Sequence, residues 1–320
     1  MNIRDRQGLK QAAAEHLKHA AYDPRKLTVL HGGVIVGIAL VLSVLSAVLS
    51  QGIAGTGGLS GIGTRNLLQT VQSVLQLAYS VLTPFWQVGI LFAFLSMIRR
   101  QPAQPQSLLR GFFRFGPVLR LLLVEGAILM GLGFATAYVS SFIAIGISPK
   151  LMALLEPVAR AMMEDPYLDP TQMLMEIPPQ ELLSAMLPML VIFAVLYFAC
   201  AIFFGFRMRF ASYLVLDDPQ VGAFAAIGRS FRMTRGNCGA LIRLDLSFWL
   251  YYVLQALAVS LCYVELFLPE STPGGVWLPV ILYAIYAIAI LALDWCMRPM
   301  VEATYALAYD SLKNPLPVVK

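Results

Sequence analysis

The sequence predicts an all-α, polytopic membrane protein: six transmembrane helices, N-in/C-in, with amphipathic helices lying in the cytoplasmic interface. Three observations carry that prediction. Of 320 residues, 58% are hydrophobic and only 13% charged, with a mean hydropathy of +0.72; a soluble domain carries about twice that charge. Six stretches are long enough to cross a hydrocarbon core, which takes roughly 20 mostly apolar residues in one helix. Twenty of the 23 Lys and Arg fall on one side of those stretches. This composition excludes a cytosolic enzyme, a disulfide scaffold and a disordered tail.

The spans run over about 27–50, 67–98, 117–147, 182–206, 240–264 and 276–297. Backbone polar groups cannot stay unpaired in hydrocarbon, so each is read as a helix. The alternation of an outer-membrane barrel is absent. Residues 1–26 form a basic N-terminal segment, 27–312 the six-span domain and 313–320 a short tail. The first 26 residues are polar and no cleavage site follows, so no signal peptide is expected. Basic residues cluster in the N-terminal segment, between spans two and three, between spans four and five, and after span six. Only Arg65, Lys150 and Arg160 lie opposite. The positive-inside rule then puts both termini in the cytoplasm. On this reading the net charge of +5 serves topology and anionic inner-leaflet lipid, with no nucleic acid as partner.

Two cytoplasmic loops read as interfacial helices. In the first, Leu108, Phe112 and Phe115 share a face while Arg110 and Arg114 point away. In the second, Asp217-Asp218-Pro219 reads as an N-cap with proline in the first turn. Phe224, Ile227 and Phe231 follow as an apolar stripe beside Arg229, Arg232 and Arg235, and Gly236-Asn237 ends the helix. Residues 3–20 also suit a helix. Leu119-Arg120-Leu121 and Ile242-Arg243-Leu244 open spans three and five alike, and Arg25-Lys26-Leu27 precedes span one. Either the chain holds three parallel units of basic segment plus hairpin, or every entry on that side simply needs an arginine. Outside, residues 51–66 form a glycine-rich connector. The loop 148–181 is acidic, and Leu151 to Leu155 suit an amphipathic segment on the outer surface.

Candidate chemistry is sparse. The run Gly52–Gly63 matches no phosphate-binding motif. His16-Leu17-Lys18-His19 lacks the glutamate of a zincin helix, and His31 is the only other histidine. The external methionines (Met152, Met162, Met163, Met173, Met175) suit apolar filler better than a copper site. Cys200, Cys238, Cys262 and Cys296 have no paired spacing, so free thiols are expected. Gly33 and Gly37 are spaced for close helix approach. No catalytic set, cofactor or metal is expected. The informative residues are charges within the spans: Glu125, Asp245 and Asp294, at similar depth to Arg120 and Arg243, with Arg298 following Asp294. Such charges face the bundle interior and pair. They form either a belt of structural ion pairs or a water-filled polar cavity.

One segment resembles a known family. Tyr213-Leu-Val-Leu-Asp217-Asp218-Pro219, Ala226, Ser230, Met233, Gly236-Asn237 and Leu244-Asp-Leu246-Ser247-Phe248-Trp249 are similar to the bacterial integral-membrane family catalogued as domain of unknown function 975. Leu109-Arg110-Gly111-Phe112, Phe115-Gly116, Pro299, Ala303-Thr304 and Tyr309 fit it too. The resemblance covers the chain from about Gly89. It implies a multi-pass membrane protein and carries no activity. The expected function is therefore non-enzymatic: basic interfacial helices, with Arg110, Arg114, Arg229, Arg232 and Arg235 on lipid headgroups, organise membrane lipids of the anionic inner leaflet or an unknown membrane protein partner. The alternative is a small-solute transporter or channel using the inner-half carboxylates.

Overall fold

The computed structural model describes residues 3, 5–55, 62–164, 177–218, 220–261 and 277–313. They form thirteen α-helices and one 3-10 turn, with no strand among the described residues. The chain divides into two units: Met1–Leu122 with Phe210–Lys320, and Leu123–Arg209.

The first unit opens with α1 (Arg6–Lys18), within the segment the sequence suggests as helical. The Asp5 carboxylate caps it, accepting from the Gly8 N–H at 2.9 Å. His16 and Lys18 sit in its last turn, where positive charge meets the negative end of the helix dipole. Leu9 and Ala13, one turn apart, are fully buried. Helix α2 (Pro24–Gly55) begins on a proline, which loses nothing in a first turn. Helix α3 (Ile62–Ile98) runs back, so both helices extend into the connector expected over 51–66. Helix α3 ends on Arg100 at φ 56°. There the Gln101 N–H donates to the Ser96 carbonyl at 2.9 Å and the Arg100 N–H to Met97 at 3.0 Å, a Schellman cap in which glycine is the usual occupant.

The next segment departs from the expected interfacial helix. A 3-10 turn (Pro105–Leu109), α4 (Arg110–Phe113) and the start of α5 (Phe115–Ile147) clasp α3. Gly89 and Gly111 allow it. A Cβ on Gly89 would overlap the Leu108 carbonyl, and one on Gly111 the Phe85 carbonyl. Phe85 stacks on Phe112 at 5.7 Å and on Phe115 at 4.7 Å. Of the apolar face read as bedded in headgroups, Leu108 is thus buried and Phe112 half-buried against protein, while Phe115 stays 46% exposed.

The second unit holds most of α5, α6 (Pro149–Glu164) and α7 (Pro179–Met208). Helix α6 is the amphipathic segment expected after span three, with Leu151 and Val158 buried. It packs on α7. Ser141 of α5 meets the Met189 sulfur of α7 at 3.6 Å. Exposed apolar side chains are large here, Phe134 being 71% exposed.

The first unit resumes with α8 (Ala211–Asp217), α9 (Ala223–Thr234), α10 (Cys238–Leu246), α11 (Trp249–Ser260), α12 (Trp277–Cys296) and α13 (Arg298–Lys313). Asp217 closes α8, so it is no N-cap of α9; Gly222 holds that position. Asp218 accepts from the Gln220 N–H at 3.1 Å in the turn between. Gly236, at φ 82°, ends α9 as expected. Span five, expected as one helix, is broken by 66° between α10 and α11. At the break the ladder tightens: the Phe248 N–H donates to the Asp245 carbonyl at 2.8 Å, and the Ser247 hydroxyl donates to the Leu244 carbonyl at 2.5 Å. A second bend of 54° separates α12 from α13, where Pro299 has no N–H to continue the ladder.

Helix α2 lies between α3 and α12, and α13 packs against α1, α2, α3 and α12. Ala303, Thr304, Ala306, Ala308 and Tyr309 of α13 are fully buried. Among the described residues, four helical stretches are long and apolar enough to cross a membrane, and up to six if each bent pair counts as one span.

Candidate functional site

The polar residues of the first unit gather into three clusters and one exposed basic helix. The first cluster surrounds Arg99, just past α3. Its guanidinium meets Asp217 of α8 at 2.5 and 3.0 Å and Asp310 of α13 at 2.6 Å. Tyr309 donates to Asp217 at 3.0 Å, and Lys313 pairs with the same carboxylate. The ring of Tyr213 stacks on Tyr309 at 5.1 Å. Hydrogen bonding to Asp217 and Asp310 holds the guanidinium charged far above its ordinary range. A fork with five donors suits two carboxylates at once. Three helix ends are thereby tied together.

The second cluster lies where α2, α3, α12 and α13 meet. Arg298 pairs with Asp294 at 3.0 Å and with Glu302 at 3.3 Å, and donates to Gln87 at 3.0 Å. Asp294 is 2% exposed and Arg298 8%. The Thr28 hydroxyl donates to the Asp294 carbonyl at 2.6 Å, and Gly32 leaves room for the Asp294 carboxylate. One turn away, His31 and Trp86 exchange hydrogen bonds: His31 Nε2 donates to the Trp86 carbonyl at 3.2 Å, and Trp86 Nε1 to the His31 carbonyl at 3.1 Å. That fixes the tautomer. His31 Nδ1, fully buried, has no hydrogen-bond partner among the described residues.

The third cluster is the break between α10 and α11. Tyr305 donates to Asp245 and lies 2.9 Å from the Tyr252 hydroxyl. Lys10 of α1 donates to the Ser247 carbonyl at 3.0 Å and sits 3.9 Å over the Phe248 ring. Burial, then the nearby Arg6, lower its pKa. This lysine satisfies a carbonyl that the break leaves outside the helical ladder.

The exposed element is α9. Ala223, Ala226, Ile227, Ser230 and Thr234 face inward, and the Phe210 N–H donates to Ser230 at 3.2 Å. Arg229, Arg232 and Arg235 are exposed, and Phe224 is 78% exposed. Ile227, expected in an outward stripe with Phe224 and Phe231, points instead into the protein.

Of the span charges singled out in the sequence, only Asp294 and Arg298 pair with each other. Asp245 belongs to the Tyr305 group. Arg243 is exposed, its Nε 3.2 Å from the Gly239 carbonyl of its own helix, and Arg120 is also exposed. Glu125 is half-buried on α5 in the other unit, and no ion pair to it is formed among the described residues. Arg114 reaches the Val215 and Leu216 carbonyls at the end of α8, a cation on a helix C-terminus. Arg110 is exposed, 5.3 Å from the Phe92 ring. Cys200, Cys238 and Cys296 are free thiols. Cys262, Pro219, Met173 and Met175 lie outside the described residues. No group of three or more His, Cys, Asp or Glu is placed to hold a metal among those described. Arg99, Asp310 and His31 were not singled out in the sequence. Arginine after a span reads as a topological charge, and its partners are 118 and 211 positions away.

These features define a multi-helix membrane protein whose inner charges tie helices to one another. The chain belongs to the DUF975 family, proteins of unknown function, whose profile matches residues 1–314. The match reaches well before Gly89, through α1 and α2. No curated protein and no solved structure matches the chain. The residues that carry the family resemblance are junctions of this fold: Asp217 at Arg99, Tyr309 on Tyr213, Ser230 on Phe210, and Ser247 at the break in span five.

Proposed function

We propose that this protein is a non-enzymatic, six-span protein of the bacterial cytoplasmic membrane. In this reading both termini are cytoplasmic, and the basic face organises anionic lipid or a protein partner. One observation carries it: α9 spends its apolar face on the protein and still presents three exposed arginines beside an exposed phenylalanine. Among the described residues, only Arg229 of the three has an acid nearby, Asp218 at 3.7 Å. An aromatic wedge beside guanidinium groups suits the headgroup layer of an anionic leaflet. The burial and pairing of Asp294 with Arg298 support a structural belt over a solute path.

The test uses the full chain in nanodiscs of neutral lipid doped with phosphatidylglycerol. Each arginine near an anionic surface contributes about 1 kcal/mol. Replacing Arg229, Arg232 and Arg235 with glutamine should then weaken enrichment of the anionic lipid around the protein roughly a hundredfold. Enrichment that is unchanged in the triple variant would refute the lipid reading. Enrichment lost there but retained in Arg243→Gln would localise it to α9.

A further inference from the structure

The N-terminal half of α3 carries polar side chains at a spacing that a lone lipid-facing helix has no use for. Asn66, Gln69, Ser73, Gln76 and Ser80 recur at alternating steps of three and four, so they form one stripe. All five are exposed, and Asn66, Gln69 and Ser73 line a shallow groove. A different side of the same helix exposes Leu67 and Val71.

One hydrogen bond sets the depth of the stripe. Gln72 donates to Ser46 of α2 at 2.5 Å, and Ser46 closes an apolar stretch that starts at Pro24. The two helices run antiparallel. Ser73, Gln76 and Ser80 therefore lie level with the hydrocarbon residues of α2 from about Ile38 to Leu45. The hydroxyls are satisfied within the helix, Ser73 on the Gln69 carbonyl at 2.9 Å and Ser80 on Leu77 at 2.8 Å. The Gln69 and Gln76 carboxamides make no hydrogen bond to any described residue. Each has two donors and an acceptor, and hydrocarbon supplies partners for none of them.

We propose that this stripe is a homodimer interface, packing against the same stripe of α3 in a second copy of the chain. A carboxamide both donates and accepts, so the stripe is complementary to itself. A two-fold axis along the membrane normal then brings each glutamine to its own counterpart. The stripe is uncharged, so two copies do not repel. Steps of three and four are the spacing on which left-handed helix pairs interdigitate, and interhelical amide bonds hold membrane helices together. The inference stands independently of the lipid reading of α9.

The test uses the full chain with its four native cysteines replaced, carrying single cysteines at Ser73, Gln76, Ser80, Leu67 or Val71. Copper-phenanthroline oxidation in native membranes should give a disulfide dimer at the first three positions and little at the last two. Separately, Gln69→Leu with Gln76→Leu, which keeps the span apolar, should raise the dimer dissociation constant in liposomes roughly tenfold, read by single-molecule photobleaching; each interhelical hydrogen bond there is worth about threefold. Equal crosslinking at all five positions, no crosslinking at the stripe, or an unchanged dissociation constant overturns the proposal. A crosslinked band off the dimer mass, marking a different protein, overturns it too.

Discussion

Arg99→Ala removes the side chain that ties the end of α3 by charge to the ends of α8 and α13. Asp310 is then left with no partner among the described residues, and Asp217 keeps only Lys313 and Tyr309. Breaking a fully buried pair costs about 3–5 kcal/mol, and an exposed one under about 1. Here the arginine is 26% exposed and Asp217 12%, which places each pair between those limits, at about 1.5 kcal/mol. Both together give about 3 kcal/mol. For a unit of this size that lowers Tm by about 9 °C. The assay is a tryptophan-fluorescence melt of the full chain at fixed protein and detergent concentration. Arg99→Lys, which keeps the charge and reaches one carboxylate, should lose about half as much. Asp310→Asn should also lose about half, and combining it with Arg99→Ala should add little, because the two changes remove one interaction. A fall of less than about 2 °C for Arg99→Ala would show that the node is solvated decoration, and the reasoning would fail.

Two further substitutions probe the backbone. Gly89→Ala places a methyl against the Leu108 carbonyl, which cannot move aside as a flexible side-chain tip would; it should cost about 2–3 kcal/mol, while Gly37→Ala, with nothing within 4 Å, should cost nothing in the same melt. Arg100→Gly relieves a left-handed residue at the end of α3 and should raise stability by about 1 kcal/mol; a decrease would mean that the arginine side chain contributes more than its backbone conformation costs.

Much of this architecture was legible in the sequence because hydropathy is a local property. A window of twenty apolar residues announces a span wherever the rest of the chain goes, so α2, α3, α5, α7 and α12 fall where periodicity and length put them. Gly236 could be read as a helix end because a positive φ is a property of one residue. The spacing of four between Asp294 and Arg298 was legible too, and the two pair even though a 54° bend separates their helices. The break at Ser247 was not. Nothing in Leu244-Asp-Leu246-Ser247 forbids a continuous helix, and the freed Ser247 carbonyl is satisfied by Lys10, 237 positions earlier.

The sequence by itself determined that this is a helical membrane protein, where most of its long helices lie, and which family it resembles. Tertiary structure decided which charges meet. Arg99 joined Asp217 and Asp310, Asp245 went to Tyr305, and the segment from Leu108 to Phe115 turned onto α3 instead of standing alone. It also made α13, a helix of mixed polarity, one of the most buried elements, because its alanines let neighbouring helices come close. The reason is physical. Burial in hydrocarbon depends on each residue's own transfer energy, which composition records, whereas the partner of a charge or the neighbour of a glycine depends on which surfaces the folded chain brings together.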